Sequence, residues 1–429
     1  MRFSSLFIFL FMVMHLEAAF IVPLKSQATR VDPLYMHRMD EKEEGATCDA
    51  ILRRNFERSG AISLLPVMQE AEEMLASHHP FMASAWRACG ARHVVRVIKV
   101  PGGFHSELFD VAKGRIVTLD TKDIGNLLST LHALSDQILY TLTGHRGSSG
   151  TEILYALRKK DRERGWISEL WALDYDSGES KQLTHDNGYA ICPIGGQSKE
   201  DIIYVDYREG HSKLYVLDRL TGRRWALFPG LVGNQLLPAL SPSGRQIAFI
   251  ADPQGSADLF ISSFSSGGVG PPYALYSAPP STQASPSFHP DESRLVFISN
   301  KAGNPQLHTL DLIREGGKGK NLPVKITRKY REAITPHWSP DGQRIAYSAK
   351  VNGVRQIMLY DLIKKEERIL TEGAMHKENP CWSPNGRHLV YNTVEGEGGN
   401  LFILHPETKQ QFQVTFGGER KHYPYWRRI

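Results

Sequence analysis

From residue 147 onward the chain is a succession of short apolar runs, each bounded by turn residues. The most legible stretch is Thr335–Ser348, TPHWSPDGQRIAYS. A strand ends at Trp338, Ser339-Pro340-Asp341-Gly342 forms a tight turn, and Arg344-Ile345-Ala346-Tyr347 begins a second strand. Proline presets φ at the first central turn position, Asp suits the second, and Gly follows where the chain turns to positive φ. The turn recurs as Ser241-Pro242-Ser243-Gly244 and Ser383-Pro384-Asn385-Gly386, and in altered form as His289-Pro290-Asp291-Glu292.

Aligning the stretch on its first proline gives six copies, at Pro193, Pro238, Pro286, Pro336, Pro380 and Pro424, spaced 45, 48, 50, 44 and 44 residues apart. That is the period of a propeller blade. Second strands follow, such as Ile202–Val205, Ile247–Ile250 and Leu295–Ile298, then third strands such as Leu214–Asp218, Leu307–Asp311 and Ile357–Asp361. More polar fourth strands end several copies, among them Val324–Thr327, Arg368–Thr371 and Gln413–Phe416. Four strands in this order make one blade. Pro424 has no second strand after it. Its missing partners stand at the other end: Ile153–Leu157, Leu170–Asp174 and Lys181–Thr184. The expectation is an all-β six-bladed propeller closed by the C-terminal strand, which leaves no free sheet edge.

Residues 47–146 have a different pattern. Helical spacing runs from Cys48 to Ser59 and stops at Gly60. A short strand spans Ala61–Leu65, and a second helix spans Phe81–Ala88. Three strands follow, His93–Val100, Phe104–Val111 and Arg115–Leu119, then an amphipathic helix to Leu142 with Gly144 just past its end. Strands in a meander with packed helices predict a small α/β (α+β) unit. Residues 20–46 show no periodicity and carry the acidic run Asp40-Glu41-Lys42-Glu43-Glu44. They read as an exposed arm, open between a plain disordered terminus and a partner-binding segment. Residues 1–19 read as an export signal: Arg2, the apolar run Phe7–Val13, and small residues Ala18-Ala19. The implied compartment is the periplasm.

Composition changes this picture little. A formal charge of +5 over 429 residues gives no case for nucleic acid. The four cysteines, Cys48, Cys89, Cys192 and Cys381, have no metal spacing. Cys192 and Cys381 fall on non-adjacent blades, too far apart for a bridge. Cys48 and Cys89 stay open between free thiols and a disulfide.

Catalytic patterns are sparse. No G-x-S-x-G elbow occurs, since Gly196-Gln197-Ser198-Lys199-Glu200 lacks the second glycine. Gly319-Lys320 is no phosphate loop, and His78-His79 have no third ligand in view. No cofactor or metal is expected. Candidate chemistry lies instead on the polar residues just ahead of each repeat proline, which converge on one mouth of the ring. These are Asn187, Asn234 and Gln235, then Gln283 and Ser285, then Glu332 and Thr335, then Lys377, Glu378 and Asn379, and finally His422. They are either partner-binding residues or solvated loop ends. An exported hydrolase using channel residues, a peptidase or a carbohydrate-acting enzyme, is the competing reading.

The repeated W-S-P-x-G pattern (Trp338–Tyr347, Trp382–Tyr391), the helix end Leu142-Thr143-Gly144 and the stretch Glu169–Asp176 together resemble the TolB family of the Tol–Pal envelope system. The likeness covers roughly residues 47–429, in the same order of units. It implies a non-catalytic periplasmic scaffold that binds the peptidoglycan-associated lipoprotein Pal at the propeller mouth and TolA through the N-terminal arm, supporting envelope integrity and cell division. In the arm the chain departs from the family, because residues 20–46 carry the acidic run rather than a clear β-like TolA-binding segment.

Overall fold

The computed structural model describes residues 32–37, 39, 43–77, 80–144, 147–208, 210–265, 268–312 and 322–429. The export signal, the arm up to residue 31, the His78-His79 pair and Gly319-Lys320 lie outside them.

The N-terminal unit is built on a five-stranded sheet. In chain order its elements are β1 (Asp32–Met36), α1 (Glu43–Arg58), β2 (Ile62–Leu64), α2 (Gln69–Leu75), α3 (Ala83–Ala88), β3 (His93–Val100), β4 (Gly103–Asp110), β5 (Arg115–Lys122) and α4 (Leu127–Thr143). The sheet order is β2-β1-β3-β4-β5. This corrects the expected arm at one point: Asp32–Met36 is a central strand, parallel to both β2 and β3. Leu34 and Met36 enter the core under α1 and α4, and Tyr35 enters the core under α2 and α3. A strand buried on both faces shows no polar alternation, so its four apolar residues carry no period. Cys48 and Cys89 belong to cores on opposite faces of this sheet, and all four cysteines are free thiols.

The propeller has six four-stranded blades, the third with an added two-residue strand. Blade 1 is assembled from both ends of the segment. The last strand, Arg420–Arg428, pairs with Thr151–Asp161, followed by Gly165–Asp174 and Ser180–Gln182. The inner strands of blades 2 to 6 are Ala190–Gly195, Gln235–Leu240, Gln283–Phe288, Arg331–Trp338 and His376–Trp382. In the repeated turns, Gly244, Gly342 and Gly386 have φ of 72°, 70° and 70°, and their N–H groups donate to the carbonyls of Ser241, Ser339 and Ser383. Glu292 takes the same left-handed conformation in the altered copy, at φ 60°.

The closure is more than a ladder. Trp426 Nε1 donates to Thr151 Oγ1 at 2.9 Å. Arg427 holds Glu152 Oε1 at 2.7 Å and donates to the Asp201 carbonyl of blade 2 at 2.8 Å. Arg219 of blade 2 reaches the same carboxylate oxygen at 2.6 Å. Arg428 extends to Asp136 on α4 at 3.1 Å. The N-terminal unit thus packs on the end of the ring where the chain terminates. There Arg58 donates to the carbonyls of Tyr175 and Asp176 at 2.6 and 2.7 Å, and His132 Nε2 lies 3.0 Å from Asp176 Oδ2. Gly60, at φ 63°, makes that approach possible: a Cβ there would lie 3.1 Å from His405 and 3.2 Å from His388.

A second repeated device joins the third and fourth strands. Thr184, Thr327, Thr371 and Thr415 end the fourth-strand segments of blades 1, 4, 5 and 6. Their hydroxyls accept the N–H of Leu170, Leu307, Ile357 and Leu401 at 2.8–3.0 Å. Each hydroxyl then donates to the preceding polar side chain: Glu169, Gln306, Gln356 or Asn400.

Two expectations follow. Deleting residues 422–429 removes the inner strand of blade 1 and exposes two blade faces at once. The propeller should then lose its cooperative thermal transition, and a truncated chain that melts like the full one would refute closure. The second concerns pH. Burial lowers the imidazole of His337 to about 4, and those of His388 and His422 to about 3. Groups depressed in the folded state add stability that is complete above their unfolded value near 6.5 and is lost as pH falls toward the folded value. Each histidine should therefore contribute a slope of about 1.4 kcal/mol per pH unit below 6.5. Asp176, raised by burial to about 6, opposes them, since its contribution is lost as pH rises through that value. Urea unfolding at pH 7.5, 6.5 and 5.5 should show falling stability, and His422→Gln should flatten the trend.

Candidate functional site at the propeller mouth

The two ends of the channel differ. At the end bearing the N-terminal unit, the Ser-Pro turns, Trp338, Trp382 and Trp426 wall a funnel of about 680 Å³. At the other end lie the starts of the inner strands and the hairpin turns between second and third strands. Between the two sits a waist of about 110 Å³.

The waist is formed by the residue before each repeat proline. Cys192, Leu237, Ser285, Thr335, Asn379 and Tyr423 all have φ between 47° and 55°. At each, the register with the second strand shifts by a bulge. A bulge bends its strand and re-aims a side chain. The left-handed region costs a non-glycine residue about 1–3 kcal/mol, so six such residues persist only because the surrounding sheets hold them. Together with their prolines, these six residues line the waist. The Thr335 hydroxyl is buried there without a hydrogen-bond partner among the described residues.

Three of the sequence-derived candidates therefore belong to the waist: Ser285, Thr335 and Asn379. Asn379 Nδ2 also donates to Asn392 Oδ1 at 2.8 Å. Three others, Gln235, Gln283 and Lys377, stand three residues ahead of their prolines and turn into the blades. Gln235 donates to the Phe228 carbonyl at 2.9 Å, and Gln283 reaches the Ala257 carbonyl at 2.6 Å with its amide nitrogen facing Asp258. Lys377 is 5% exposed and donates to the Met375 carbonyl at 3.0 Å, and burial lowers its pKa. These are internal ties, corrected here from mouth residues. Strand alternation sends this position inward in every blade, and the long amides and the lysine reach past the apolar layer to backbone carbonyls. His422 is buried as well, its Nε2 without a partner among the described residues. Asn187 is exposed and its N–H donates to Glu169 Oε1. Asn234 bridges Asp252 and Ser212 at 2.8 and 3.1 Å.

Glu332 and Glu378 are brought together by residues that spacing alone does not single out. Lys350 lies 3.0 Å from Glu332, and Arg355 lies 3.8 Å from it. Arg355 also reaches Glu378 at 3.1 Å, and Arg420 approaches Glu378 at 3.9 Å. Arg420 stands opposite Arg158 in the closing ladder, and Arg158 lies over the Trp166 ring at 4.3 Å. The chain of charges thus crosses blades 5, 6 and 1 at the mouth. The threonine latches hold this end in place. Gln306, Gln356 and Asn400 use their amide N–H groups to donate to the carbonyls of Tyr330, Gly373 and Gly417, all in loops entering the mouth. The sequence signal for these ties was the polar residue opening each third strand.

A cysteine–histidine contact also lies in the channel. His337 Nδ1 accepts the Trp382 N–H at 3.3 Å, and Nε2 stands 3.6 Å from Cys381 Sγ. Burial holds this thiol up to about 12 and this imidazole down to about 4. Neither thiolate nor imidazolium is then available near neutral pH, which is the reverse of an activated nucleophile. Among the described residues, no group of three or more His, Cys, Asp or Glu could hold a metal ion, and no helix is long and apolar enough to cross a membrane.

Comparison with known proteins agrees with this architecture. A family model for the TolB beta propeller domain matches residues 139–428. A TolB homolog of Protochlamydia amoebophila is 30% identical over 378 residues, covering 84% of this chain and 78% of that protein. One from Chlamydia pneumoniae is 38% identical over 303 residues, covering 69% of each. The crystal structure of TolB from Acinetobacter baumannii superposes with a TM-score of 0.72 at 23% identity, over 93% of this chain and 97% of that one, and so shares the fold. This chain belongs to the TolB family.

Proposed function

We propose that the protein is a non-catalytic periplasmic scaffold of the Tol–Pal envelope system. It docks a peptidoglycan-associated lipoprotein at the propeller mouth, and so supports outer-membrane integrity and cell division. Membership of the TolB family supports the system. The observation that carries the site is the asymmetry of the ring. The N-terminal unit packs on the funnel end through Arg58, His132 and Arg428. The opposite mouth, with its strained waist and its charge chain from Lys350 to Arg420, is left open by the described residues. Strained backbone held by a rigid frame is a common mark of a binding surface. TolA docks through the arm outside Asp32–Met36, a segment that pairs on both sides within the sheet.

Filling the waist tests this reading. Tyr423 already occupies one pre-proline position, so Ser285→Tyr and Thr335→Tyr introduce a side chain the geometry accepts. The double variant should keep its melting temperature and lose capture of the soluble peptidoglycan-associated lipoprotein by at least about tenfold, the scale of losing one well-packed contact region. Lys199→Tyr, on the funnel, should capture it normally. Failure of the wild-type chain to capture it at low salt, or loss only in the Lys199 variant, would overturn the reading.

A further inference from the structure

On its blade 5–6–1 side the mouth carries a cluster with more positive charge than the cluster's own carboxylates neutralise. Across blades 5, 6 and 1 the cluster holds four cations, Lys350, Arg355, Arg420 and Arg158, against two carboxylates, Glu332 and Glu378. Glu378 is shared between Arg355 and Arg420, at 3.1 and 3.9 Å, so its approach to Arg420 is long for a charge-assisted hydrogen bond. The Nε–H groups of Arg158, Arg355 and Arg420 are each buried without a hydrogen-bond partner among the described residues. Arg158 lies over Trp166, and its planar fork is thereby oriented. Buried donors left open in this way cost free energy until an acceptor arrives.

His422 is wedged beside Arg420 and Arg158. Besides its burial, the two guanidinium charges lower its imidazole pKa, so it stays neutral and adds no cation of its own. Beside His422 the positive charge therefore belongs to the guanidinium groups of Arg420 and Arg158, whose geometry matches a carboxylate fork. Nothing comparable occurs at Asn187 or Asn234 on blades 2 and 3, where the neighbouring carboxylates Glu169 and Asp252 accept backbone N–H groups. The clustered guanidinium groups thus lie on the blade 5–6–1 side of the mouth.

We infer that the blade 5–6–1 side of the mouth is a carboxylate-receiving subsite, and that the partner docks there through an acidic polypeptide segment. An incoming Asp or Glu accepts from Arg420 and Arg158, while Glu378 remains with Arg355. The inference rests on the proposed docking of a protein at this mouth, and it names the chemistry by which that protein is recognised. Binding through such charges is salt-sensitive.

The test uses the full chain and two probes, a labelled hexaglutamate peptide and the soluble peptidoglycan-associated lipoprotein, each in low and high salt. The Arg158→Gln/Arg420→Gln chain should bind hexaglutamate about tenfold more weakly than wild type, whereas Arg115→Gln on β5 should not change it. Glu378→Gln separates binding from folding, because removing the resident carboxylate frees Arg355 and Arg420 and should strengthen hexaglutamate binding. Unchanged affinity in the double variant, or weaker binding in Glu378→Gln, would overturn the inference. Tighter arginine-dependent binding of an oligogalacturonate than of hexaglutamate would assign the subsite to an anionic glycan and overturn it too. Capture of the lipoprotein that ignores salt and both arginines would overturn the inference while leaving the docking reading intact. Arginine-dependent hexaglutamate binding with no capture of the lipoprotein would keep the acidic subsite and remove that partner.

Discussion

Everything in the propeller depends on the pairing of its last strand with its first. Arg420–Arg428 and Thr151–Asp161 are separated by more than 250 residues, yet they form one ladder. Bringing such distant segments together carries a loop-closure cost that local contacts cannot repay until the ring shuts. The last four residues concentrate the return. Trp426 packs against Tyr175 with ring centroids 5.0 Å apart, and Arg427 with Arg219 encloses the buried Glu152 carboxylate. A buried ion pair of this kind adds little net stability, but removing one partner strands a buried charge. The closure therefore acts as a registry device as much as a source of energy. It also fixes the N-terminal unit, because Arg428 continues from the same strand to Asp136.

From the closure, constraint passes outward along two repeated routes. The inner strands bulge at the pre-proline residues and draw six left-handed residues into a waist. The threonine latches tie the third and fourth strands of four blades, and their amide partners reach on to the loops at the mouth. The mouth is thus held from both sides: its floor by strained backbone, its rim by side-chain hydrogen bonds. A charge chain set on such a frame keeps its geometry without a partner present, which lowers the ordering cost of docking.

How much of this was legible in the sequence depended on whether a residue's role was local. The Ser-Pro-x-Gly turns could be read because their chemistry sits within four residues. Closure could be read because an orphan inner strand and an orphan set of outer strands stood at opposite ends. The strand Asp32–Met36 could not, since a parallel central strand has neither alternation nor a hairpin turn to announce it. Helix α2, Gln69–Leu75, was hidden for a related reason: two buried residues, Ala71 and Leu75, are too few to show a helical period. At the mouth, polarity marked the right loops but not the direction of each side chain. Gln235, Gln283 and Lys377 read as polar surface and are internal ties. Arg355 lies on blade 5 while Arg420 and Arg158 come from opposite ends of the chain to blade 1, and only the closed ring sets them beside Glu378 of blade 6.

Hydrogen–deuterium exchange on the full chain, with and without the soluble peptidoglycan-associated lipoprotein, bears most directly on the claim that the open mouth is the working face. The account predicts new protection at the starts of the inner strands of blades 5 and 6, near Arg331–Thr335 and His376–Asn379, and at Arg420–Tyr423. The Ser-Pro turns of the funnel should be unchanged. Protection confined to Ser241–Gly244, Ser339–Gly342 and Ser383–Gly386 would contradict it.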